Sequence, residues 1–510
     1  MIINIVSLVS LEVATATSTI LLGALALHCL WKSRQYCHLP QPPPSSFVFG
    51  HLFDTWARLA HWGTRGDYPQ PFLSWTEQYG GVIYLRQFLE HAVLVTDPVA
   101  LQHILVANGT NYPRQPIAMD YTRDVVLGES LISVDGKKHD VYRKYLNPMF
   151  AVSKLKTFVK IFNEQTQLVC QTVLDPACDT NAPVNLSNML TKMMLSITGL
   201  TVLGYDFNKS PTALEAYEQS MLPITPLVLV GTFTIPGFLS FPIPSLVKRR
   251  NAQAALKKIL MLVIHDKLAA PNSDQPKDLL DMILPHASTD EAIPHTLTFM
   301  TAGHDTTSST LAFVFSTLAS YPQVVAAIRA EYEKITAVYG SLGSWEALAE
   351  LEYTHAVIQE TLRLNAVAFS TVQRVSLAND NVAMSNGSSV FIPKGTTVVI
   401  SIAAMHRNSK YWTNPTDFIP ERFVDGTPEW NADLALRGGK PHVFHFMPFS
   451  MGSKNCIGQR FAMAAAQLIV ATLVSIYDFK PTDLRQEFSG VSLRPVNVEM
   501  TVRRVGAPSS

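Results

Sequence analysis

A stretch near the C-terminus, residues 449–458, concentrates residue types that could do chemistry. It holds Cys456, with Lys454 two residues upstream. The residues that follow, 461–468, have strong helix propensity, so the thiol should lie just before a helix N-terminus. The partial positive charge of that terminus, together with Lys454, favours thiolate over thiol. The stretch therefore predicts a cysteine that acts as a metal ligand or as a nucleophile.

Three uses of this cysteine remain open from the residues themselves. A nucleophile would need a histidine base; His442 and His445 lie close in sequence, but nothing places either beside the sulfur. A haem thiolate would need glycines such as Gly452 and Gly458, because a flat macrocycle must approach the backbone closely. It would also need an aromatic side chain such as Phe449 beside the sulfur. The third alternative is a buried structural cysteine in a glycine-bounded loop.

The pattern Phe-x-x-Gly-x-Lys-x-Cys-x-Gly resembles the haem-ligand loop of the cytochrome P450 family, in particular its membrane-bound, eukaryotic microsomal haem-thiolate monooxygenases. The resemblance implies that Cys456 is the axial thiolate ligand of haem b, with Phe449, Gly452 and Gly458 forming its surroundings. The sequence departs from the family at Lys454, where arginine or histidine usually contacts a haem propionate; lysine supplies a point charge without a bidentate fork. If Lys454 faces solvent, it could instead help to dock a reductase.

A second group of residues lies in an apolar helical segment. Phe299, Ala302, Gly303 and Thr306 fall at helical spacing on one face, which would let a flat ligand press against the backbone. The run Ala-Gly-His-Asp-Thr-Thr resembles the central helix of the same family. The resemblance implies that Ala302 and Gly303 leave room for dioxygen, and that Asp305 and Thr306 deliver protons. A purely structural role, in which Asp305 and Thr306 bond to the preceding turn, is the alternative.

Two neighbours of this group carry separate expectations. His304 points away from the face of Ala302 and Thr306 and has no ligand partner at helical spacing, so it is expected to be a packed or exposed histidine. Pro294 lies nine positions before Gly303, which predicts a helix that begins late or kinks there.

A charged triad is implied by the resemblance alone. Glu360 and Arg363 lie three apart on one helical face and can pair, which by itself is common at protein surfaces. In the family such a pair joins the arginine of a Pro-Glu-Arg-Phe segment, which is Arg422 here. Because buried ionic networks confer a unique structure more reliably than stability, the three residues are expected to form a scaffold for the haem loop.

Further cations match the family's contacts to haem propionates. Arg374 follows the Glu-x-x-Arg helix at the usual distance. His139 occupies a position often held by tryptophan, and Arg143 lies four residues later on the same helical face. Together with Lys454, these residues are expected to neutralise the two carboxylates.

Composition excludes several classes of function. The chain has 510 residues, of which 47% are hydrophobic and 16% are charged, so it can bury a large core. Forty basic and forty acidic residues cancel, and no dense basic block carries interleaved aromatics, so nucleic acid is not an expected partner. Five cysteines without framework spacing fit a reducing compartment.

The N-terminal segment predicts a membrane anchor. Residues 1–31 contain no Lys or Arg and one acid, Glu12, and residues 13–31 span about 28 Å as a helix, which is long enough to cross a bilayer core. Lys32 and Arg34 follow, so the positive-inside rule places the body in the cytosol. A cleaved secretory signal is the competing interpretation.

Residues 32–50, with a polyproline-type run, predict a hinge. Residues 51–510 are then the haem-thiolate catalytic domain.

The remaining pattern predicts a mainly α fold with a small β-rich lobe (α+β), which the resemblance identifies with the cytochrome P450 fold. The lobe is expected over residues 71–105, with a helix at 72–79, strands at 82–85 and 92–96, and a helix at 99–105. Helix is expected over residues 151–203, 213–221, 252–268 and 296–318.

The resemblance implies a monooxygenase that inserts one oxygen atom from dioxygen into a lipophilic substrate. It also implies an NADPH-dependent reductase partner and residence in the endoplasmic reticulum membrane. Apolar pocket segments are expected at residues 112–131, 221–246, 299–302, 367–372 and 490–493, so the substrate is a fatty acid, a terpenoid or another secondary metabolite. Ala302 stands where many fatty-acid hydroxylases have a haem-esterifying glutamate, so covalent haem is not expected. A haem-thiolate isomerase or dehydratase and a non-catalytic membrane-tethered binding protein are the rival functions.

Overall fold

A computed structural model describes most of the chain. The described residues are 23, 28 and 31–506, apart from residues 60–61, 63–65, 222–224, 226, 229–230, 233–234, 236, 270–276, 482–483, 489–491 and 497. The predicted anchor, residues 1–31, therefore lies almost wholly outside them. Within the described part, Leu186–Leu203 and Gln459–Ile476 are long and apolar enough to cross a membrane, but 72% and 67% of their apolar windows are buried inside the fold. A bent pair, Thr289–Leu318 with Pro322–Tyr339, could count as a third.

Helices dominate the described residues, as the sequence predicts. They are α1 (Leu52–Leu59), α2 (Phe72–Tyr79), α3 (Pro98–Gln102), α4 (Pro116–Val125), α5 (Gly136–Leu146), α6 (Val152–Val169), α7 (Asp175–Thr180), α8 (Leu186–Leu203), α9 (Pro211–Ser220), α10 (Pro244–Ala269), α11 (Leu279–Ile283), α12 (Thr289–Leu318), α13 (Pro322–Tyr339), α14 (Trp345–Ala349), α15 (Glu352–Leu364), α16 (Ile402–His406), α17 (Pro428–Leu436) and α18 (Gln459–Ile476).

The strands form one four-stranded sheet and four two-stranded pairs within the described residues. They are β1 (Val82–Gln87), β2 (Glu90–Val95), β3 (Val184–Asn185), β4 (Arg374–Val375), β5 (Asp380–Ala383), β6 (Ser389–Ile392), β7 (Thr397–Ile400), β8 (Tyr477–Phe479), β9 (Arg485–Phe488), β10 (Leu493–Val496), β11 (Glu499–Met500) and β12 (Val502–Arg504). The larger sheet has the order β1-β2-β7-β4, and β2 and β7 run parallel. A mainly α fold with a small β lobe is thus confirmed.

Part of the predicted hinge is fixed to this sheet. Tyr36 is 3% exposed and stacks on Tyr84 of β1 with ring centroids 4.6 Å apart. Its hydroxyl lies 2.8 Å from Oγ1 of Thr396, and Leu39 is buried in the same cluster. The chain is therefore attached to the body from Tyr36 onward, inside the segment that the sequence predicts to be a hinge.

Helix α12 runs through the core and starts before its proline. Ser288 caps the helix: its Oγ accepts from the backbone N–H of Glu291, whose carboxylate bonds back to Ser288 in a capping box. The helix continues through Pro294, and the carbonyl of Pro294 accepts from the hydroxyl of Thr298 at 2.7 Å. The helix does not begin late, because the capping box fixes its start five residues before the proline.

Gly303 serves the packing of α12 against α8. A Cβ added at Gly303 would lie 2.9 Å from Cγ2 of Thr198, whose hydroxyl is held by the carbonyl of Met194 at 2.7 Å. The missing side chain of Gly303 thus faces α8. The prediction placed Gly303 with Ala302 on the ligand-facing side of the helix, whereas a side chain at position 303 would point toward α8.

Gly303→Ala should lower the free energy of unfolding by about 1 kcal/mol. Overpacking against Thr198 costs about 1–3 kcal/mol, and the better helix propensity of alanine returns about 1 kcal/mol. In a Thr198→Ser background the blocking methyl group is gone while the hydroxyl remains, so the same change should become neutral or stabilising. Urea unfolding of the four proteins measures both effects, and equal destabilisation in the two backgrounds would contradict this packing.

Candidate functional site

The loop before α18 is shaped by its own backbone. The N–H of Cys456 donates to the carbonyl of Phe449 at 2.8 Å, which closes the loop. Ser450 and Gly452 have φ of 58° and 80°, and a Cβ on Gly452 would lie 2.2 Å from the carbonyl oxygen of Leu105. Glycine is therefore required at position 452 by a close approach between two backbones, whatever the loop binds.

Cys456 is an exposed residue, yet protein groups surround its thiol closely enough to change the pKa of that thiol. Burial raises the pKa of the Cys456 thiol, while the N–H of Gly458, the charge of Arg143 and the N–H of Gln459 lower it. The helix-terminal donors that the sequence predicts are present, but burial outweighs them in the protein alone. A coordinated metal cation deprotonates a thiol outright, so this environment favours a metal ligand over a free nucleophile.

The two nearby histidines are engaged elsewhere. His442 stacks on Trp412 with ring centroids 5.8 Å apart, and burial lowers its pKa to about 4. Nδ1 of His445 lies 3.1 Å from the carbonyl of Val443, and its ring packs edge-on against Tyr411. Both rings are structural, which removes support for a cysteine–histidine nucleophile.

Arg143 holds the residue before the cysteine. Its NH1 donates to the carbonyl of Asn455 and its NH2 to Oδ1 of the same residue, both at 2.7 Å. The guanidinium therefore clamps the loop from α5 and lies near enough to Cys456 to lower the pKa of the thiol. Both of these hydrogen bonds go to the cysteine loop. The sequence instead predicts that Arg143 contacts a haem propionate.

Lys454 is turned inward. Its Nζ lies 2.9 Å from Oδ1 of Asp135, and its side chain is 10% exposed. Asp135 also caps α5 and accepts from the backbone N–H of Arg114 at 2.7 Å. Asp135 was not anticipated from the sequence. Because the ammonium group of Lys454 is buried and paired, it does not present a charge to solvent.

Three buried side chains near this pair each have a nitrogen without a hydrogen-bond partner among the described residues, although NH1 of Arg114 donates to the carbonyls of Leu131 and Val134. Within the described part of the chain, Nε of Arg114, Nε of Arg374 and Nε2 of His139 have no hydrogen-bond partner. Burial lowers the pKa of Arg114 to about 10, with Arg374 adding to the effect, and burial likewise lowers the pKa of Arg374 to about 10. Buried guanidinium groups are costly unless they meet an anion, so the cluster fits a ligand that carries carboxylates. Arg114 had no distinguishing sequence signal.

On α12, two of the predicted residues contact each other. The hydroxyl of Thr306 donates to the carbonyl of Ala302 at 2.7 Å, and Ala302 is accessible although its helix lies in the core. Oδ2 of Asp305 accepts from the hydroxyl of Ser492 at 2.5 Å. His304 is packed, as expected: its Nδ1 lies 3.0 Å from the hydroxyl of Tyr217. Ala302 and Thr306 thus share a face, and Asp305 is tied to β10.

The predicted charged triad is assembled and has a fourth member. Glu360 pairs with Arg363 through two bonds of 2.7 and 2.8 Å, and Nε of Arg422 lies 3.1 Å from Oε1 of Glu360. Arg422 also pairs with Asp433 at 2.6 Å, and all four side chains are fully buried. Two guanidinium groups and two carboxylates make the group neutral, which is what allows it to be buried.

His406 connects this network to the cysteine loop. Its carbonyl accepts from NH1 of Arg363 at 2.9 Å, and its Nε2 accepts from the backbone N–H of Met447 at 2.9 Å, nine residues before Cys456. Burial and the charge of Arg363 lower the pKa of His406 to about 3, so the ring stays neutral and can accept. His406 carries no local sequence pattern that predicts this role.

Three features would suit a haem-thiolate site: an exposed cysteine before a helix, buried nitrogens without described hydrogen-bond partners, and a core helix on which Ala302 and Thr306 share a face. The cytochrome P450 family model matches residues 40–502. Cytochrome P450 monooxygenase 91 of Postia placenta is 27% identical over 493 residues, 86% of this chain and 87% of the relative. Ganoderic acid synthetase CYP5150L8 of Ganoderma lucidum is 25% identical, with 88% of each chain covered.

A bacterial protein is also among the relatives of similar sequence. The cyclooctat-9-en-7-ol 5-monooxygenase of Streptomyces melanosporofaciens is 25% identical over 446 residues, which cover 86% of this chain and 89% of the relative. The chain belongs to the cytochrome P450 family. It is a monooxygenase, an oxidoreductase of the haem-thiolate kind that binds haem b through a cysteine thiolate.

Proposed function

We propose that this monooxygenase holds haem b on Cys456 and inserts one oxygen atom from dioxygen into a hydrophobic small molecule. The observation that carries the assignment of the site is a group of buried side-chain nitrogens without hydrogen-bond partners in the described part of the chain, on Arg114, Arg374 and His139, near the loop of Cys456. A haem brings two carboxylates, and Arg114, Arg374 and His139 have donor nitrogens to meet them. Lys454, already paired with Asp135, contributes charge from one side.

The loop residues have separate tasks in this proposal. Gly452 lets the backbone pass Leu105. Gly458 lies beside the sulfur, where an added Cβ would make an ordinary van der Waals contact with Sγ at 3.9 Å. Phe449 is partly buried against the core and closes the loop through its carbonyl. Arg143 fixes Asn455, so the cysteine is held from both sides.

Asp305 and Thr306 are the proposed proton-delivery pair on the distal side. When bound, haem b supplies the iron at which dioxygen is reduced. Thr306 orients its hydroxyl along the accessible face that it shares with Ala302, where a proton can be passed on, and Asp305 supplies protons from behind that face. The bond from Thr306 to the preceding turn is also what a purely structural threonine would make, so this role requires a direct test.

Thr306→Ala should raise the fraction of NADPH consumption that ends as hydrogen peroxide. Without the hydroxyl, protons are delivered less efficiently while dioxygen is reduced, and general acid groups contribute factors of about 10²–10⁴ to such steps. Peroxide release per NADPH oxidised, measured with the reconstituted reductase, checks this. Thr310→Ala is the control, because its hydroxyl bonds to the carbonyl of Thr306 on the same helix. Unchanged peroxide release in Thr306→Ala would remove Thr306 from this role.

We further propose that electrons come from an NADPH-dependent reductase and that the protein is anchored to the endoplasmic reticulum membrane with its catalytic domain in the cytosol. Support comes from the apolar residues 1–31 followed by Lys32 and Arg34. Large apolar side chains are exposed just after them: Phe47 is 73% exposed and Phe53 is 53% exposed. These side chains suit a surface that faces lipid.

The substrate we propose is lipophilic: a fatty acid, a terpenoid or another secondary metabolite. Ala302 leaves no carboxylate for an ester to haem, and Phe299 packs edge-on against Phe150 at 5.2 Å. Of the predicted apolar segment 221–246, Val228, Phe238 and Leu246 form a small cluster of their own, while Leu227, Ile235 and Phe241 are exposed. Two of the three reported relatives have compounds in their names, ganoderic acid and cyclooctat-9-en-7-ol, and the third has none, so the names do not select among these classes.

The function is tested with the full-length protein in membranes. The reduced protein should give a thiolate-type carbon monoxide difference spectrum. With reductase, NADPH and ¹⁸O₂, a lipophilic probe panel of dodecanoic acid and lanosterol should yield a product carrying one ¹⁸O atom. Turnover that needs neither NADPH nor dioxygen would indicate an isomerase or dehydratase, and absence of the thiolate band would overturn the site.

A further inference from the structure

Asp305 makes a contact that joins the distal helix to a strand pair far away in sequence. The hydroxyl of Ser492 donates to Oδ2 of Asp305 at 2.5 Å, across 187 residues of chain. Ser492 is 1% exposed and stands immediately before β10, which packs against α12. We propose that Ser492 is a positioning residue for proton delivery, which holds the carboxylate of Asp305 in the orientation from which it serves Thr306. The inference rests on the proposed function.

The position of Ser492 is itself fixed by backbone bonds. The N–H of Leu493 donates to the carbonyl of Val367 at 2.8 Å, and Leu493 pairs with Phe488 across the β9–β10 hairpin. A serine on an anchored strand end is a rigid donor, unlike a serine on a long exposed loop. The hydroxyl therefore restricts the side chain of Asp305 to the rotamer that reaches it.

That restriction matters because of what else surrounds Asp305. Its neighbour His304 is buried, and the hydroxyl of Tyr217 lies 3.0 Å from Nδ1 of that ring. The charge of Asp305 acts to raise the pKa of His304 and the pKa of Tyr217. A freed carboxylate could turn toward these groups. It would then stand at a different distance from Thr306, and proton transfer is steeply sensitive to distance. Ser492 keeps the acid on the side of α12 that faces the β9–β10 hairpin.

The contact also brings two predicted pocket segments to the acid. Ser492 belongs to segment 490–493, whose residues 490–491 lie outside the described part of the chain, and Val367 belongs to segment 367–372. A group that fills the pocket along these segments would bear on the strand that carries Ser492. If these segments line the pocket as predicted, the orientation of the proposed proton donor depends on the same backbone that borders the substrate.

The test uses turnover without added substrate, so that it does not depend on the identity of the substrate. Reductase-driven turnover can then reduce dioxygen to either of two products, hydrogen peroxide or water. One dioxygen, one NADPH and one proton give one hydrogen peroxide, or one dioxygen, two NADPH and two protons give two waters. Delivery of protons to the distal oxygen favours water. Ser492→Ala should raise the peroxide released per NADPH oxidised by about threefold to tenfold, which is less than the full effect of losing an acid.

Two further variants distinguish positioning from damage. Ser492→Thr keeps the hydroxyl and should restore the wild-type ratio. Ser308→Ala is a matched control, because its hydroxyl donates to the carbonyl of Asp305 at 3.1 Å and leaves the carboxylate alone. Oxidation of tetramethyl-p-phenylenediamine by cumene hydroperoxide should stay within twofold of wild type in Ser492→Ala, because the hydroperoxide already carries its proton.

The outcomes separate this inference from the proposed function. If the wild-type protein lacks the thiolate band, the proposed function fails before Ser492 is examined. If the wild type has the band and turns over, but Ser492→Ala gives the wild-type peroxide ratio, Ser492 has no positioning role. An equal loss of NADPH-driven and hydroperoxide-driven reactions without rescue by threonine would also overturn the inference, because it would mark a structural defect.

Discussion

Cys456→Ala should abolish the thiolate-type carbon monoxide band completely and with it all NADPH-dependent oxidation. The sulfur is the accessible group at the N-terminal end of α18, and the loop that presents it is closed by the bond from its own N–H to Phe449. Alanine keeps that backbone bond, so the loop should survive without its ligand. Difference spectroscopy of the reduced protein measures the band, and haem extraction measures the bound cofactor.

The chain offers a matched cysteine control. Cys178 is half-buried in α7, away from the loop, and burial raises the pKa of its thiol as it does for Cys456. Cys178→Ala should leave the band and the oxidation unchanged. A thiolate band that persists in Cys456→Ala, or disappears in Cys178→Ala, would show that another cysteine is the ligand.

Features that depend on neighbouring residues could be predicted from the sequence. The glycines and helix formers around Cys456 predict a loop before a helix, and the β-branched runs predict β1 and β2 to within two residues at each end. Apolar periodicity likewise gives α12, although the capping residues Ser288 and Glu291 start it earlier than the apolar run. In each case the determining interactions span only a few residues.

Features that depend on long-range contacts could not be predicted. Asp135 reaches Lys454, Ser492 reaches Asp305, and Asp433 completes the charged network, although none of these carries a local pattern. The side of the helix that Gly303 faces could not be predicted for a similar reason. Helical spacing does not say which of two adjacent small residues faces the ligand and which faces a neighbouring helix. Packing against Thr198 decides this for Gly303.

The propionate contacts show a third limit. The sequence could supply cations such as Arg143 and Arg374, but only geometry distinguishes a guanidinium that clamps the loop from one that is left without a partner. The burial of Lys454 also depends on a carboxylate that lies far away in the chain. The sequence therefore predicts that basic residues gather near the cysteine loop, but it does not predict which partner each of them contacts.

Glu360→Ala should destabilise the fold by about 3–5 kcal/mol, because it leaves two fully buried guanidinium groups facing one carboxylate. The loss is expected to appear as a lower urea midpoint and as poor recovery of haem-loaded protein. Glu421→Ala is the matched control: it lies beside Arg422, but its carboxylate accepts only from the Tyr353 hydroxyl among its described bonds, at 2.8 Å. It should cost about 1 kcal/mol.

A double variant tests whether unbalanced charge is the cause. Glu360→Ala with Arg363→Met removes one charge of each sign and leaves Arg422 with Asp433. If charge imbalance dominates, the double variant should be more stable than the sum of the single changes predicts, by about 1–3 kcal/mol. Strict additivity would mean that each residue acts through its own backbone bonds alone.

The same network should act on Cys456 from a distance. Arg363 donates to the carbonyl of His406, and His406 accepts from the N–H of Met447, so the network is connected to the loop through two bonds of 2.9 Å. Glu360→Ala should therefore shift the carbon monoxide spectrum of any haem-loaded fraction away from the thiolate type while Cys456 is intact. His406→Ala should do the same with a smaller loss of stability, because it unbalances no charge. A normal thiolate band in both variants would mean that the loop holds its sulfur without this support.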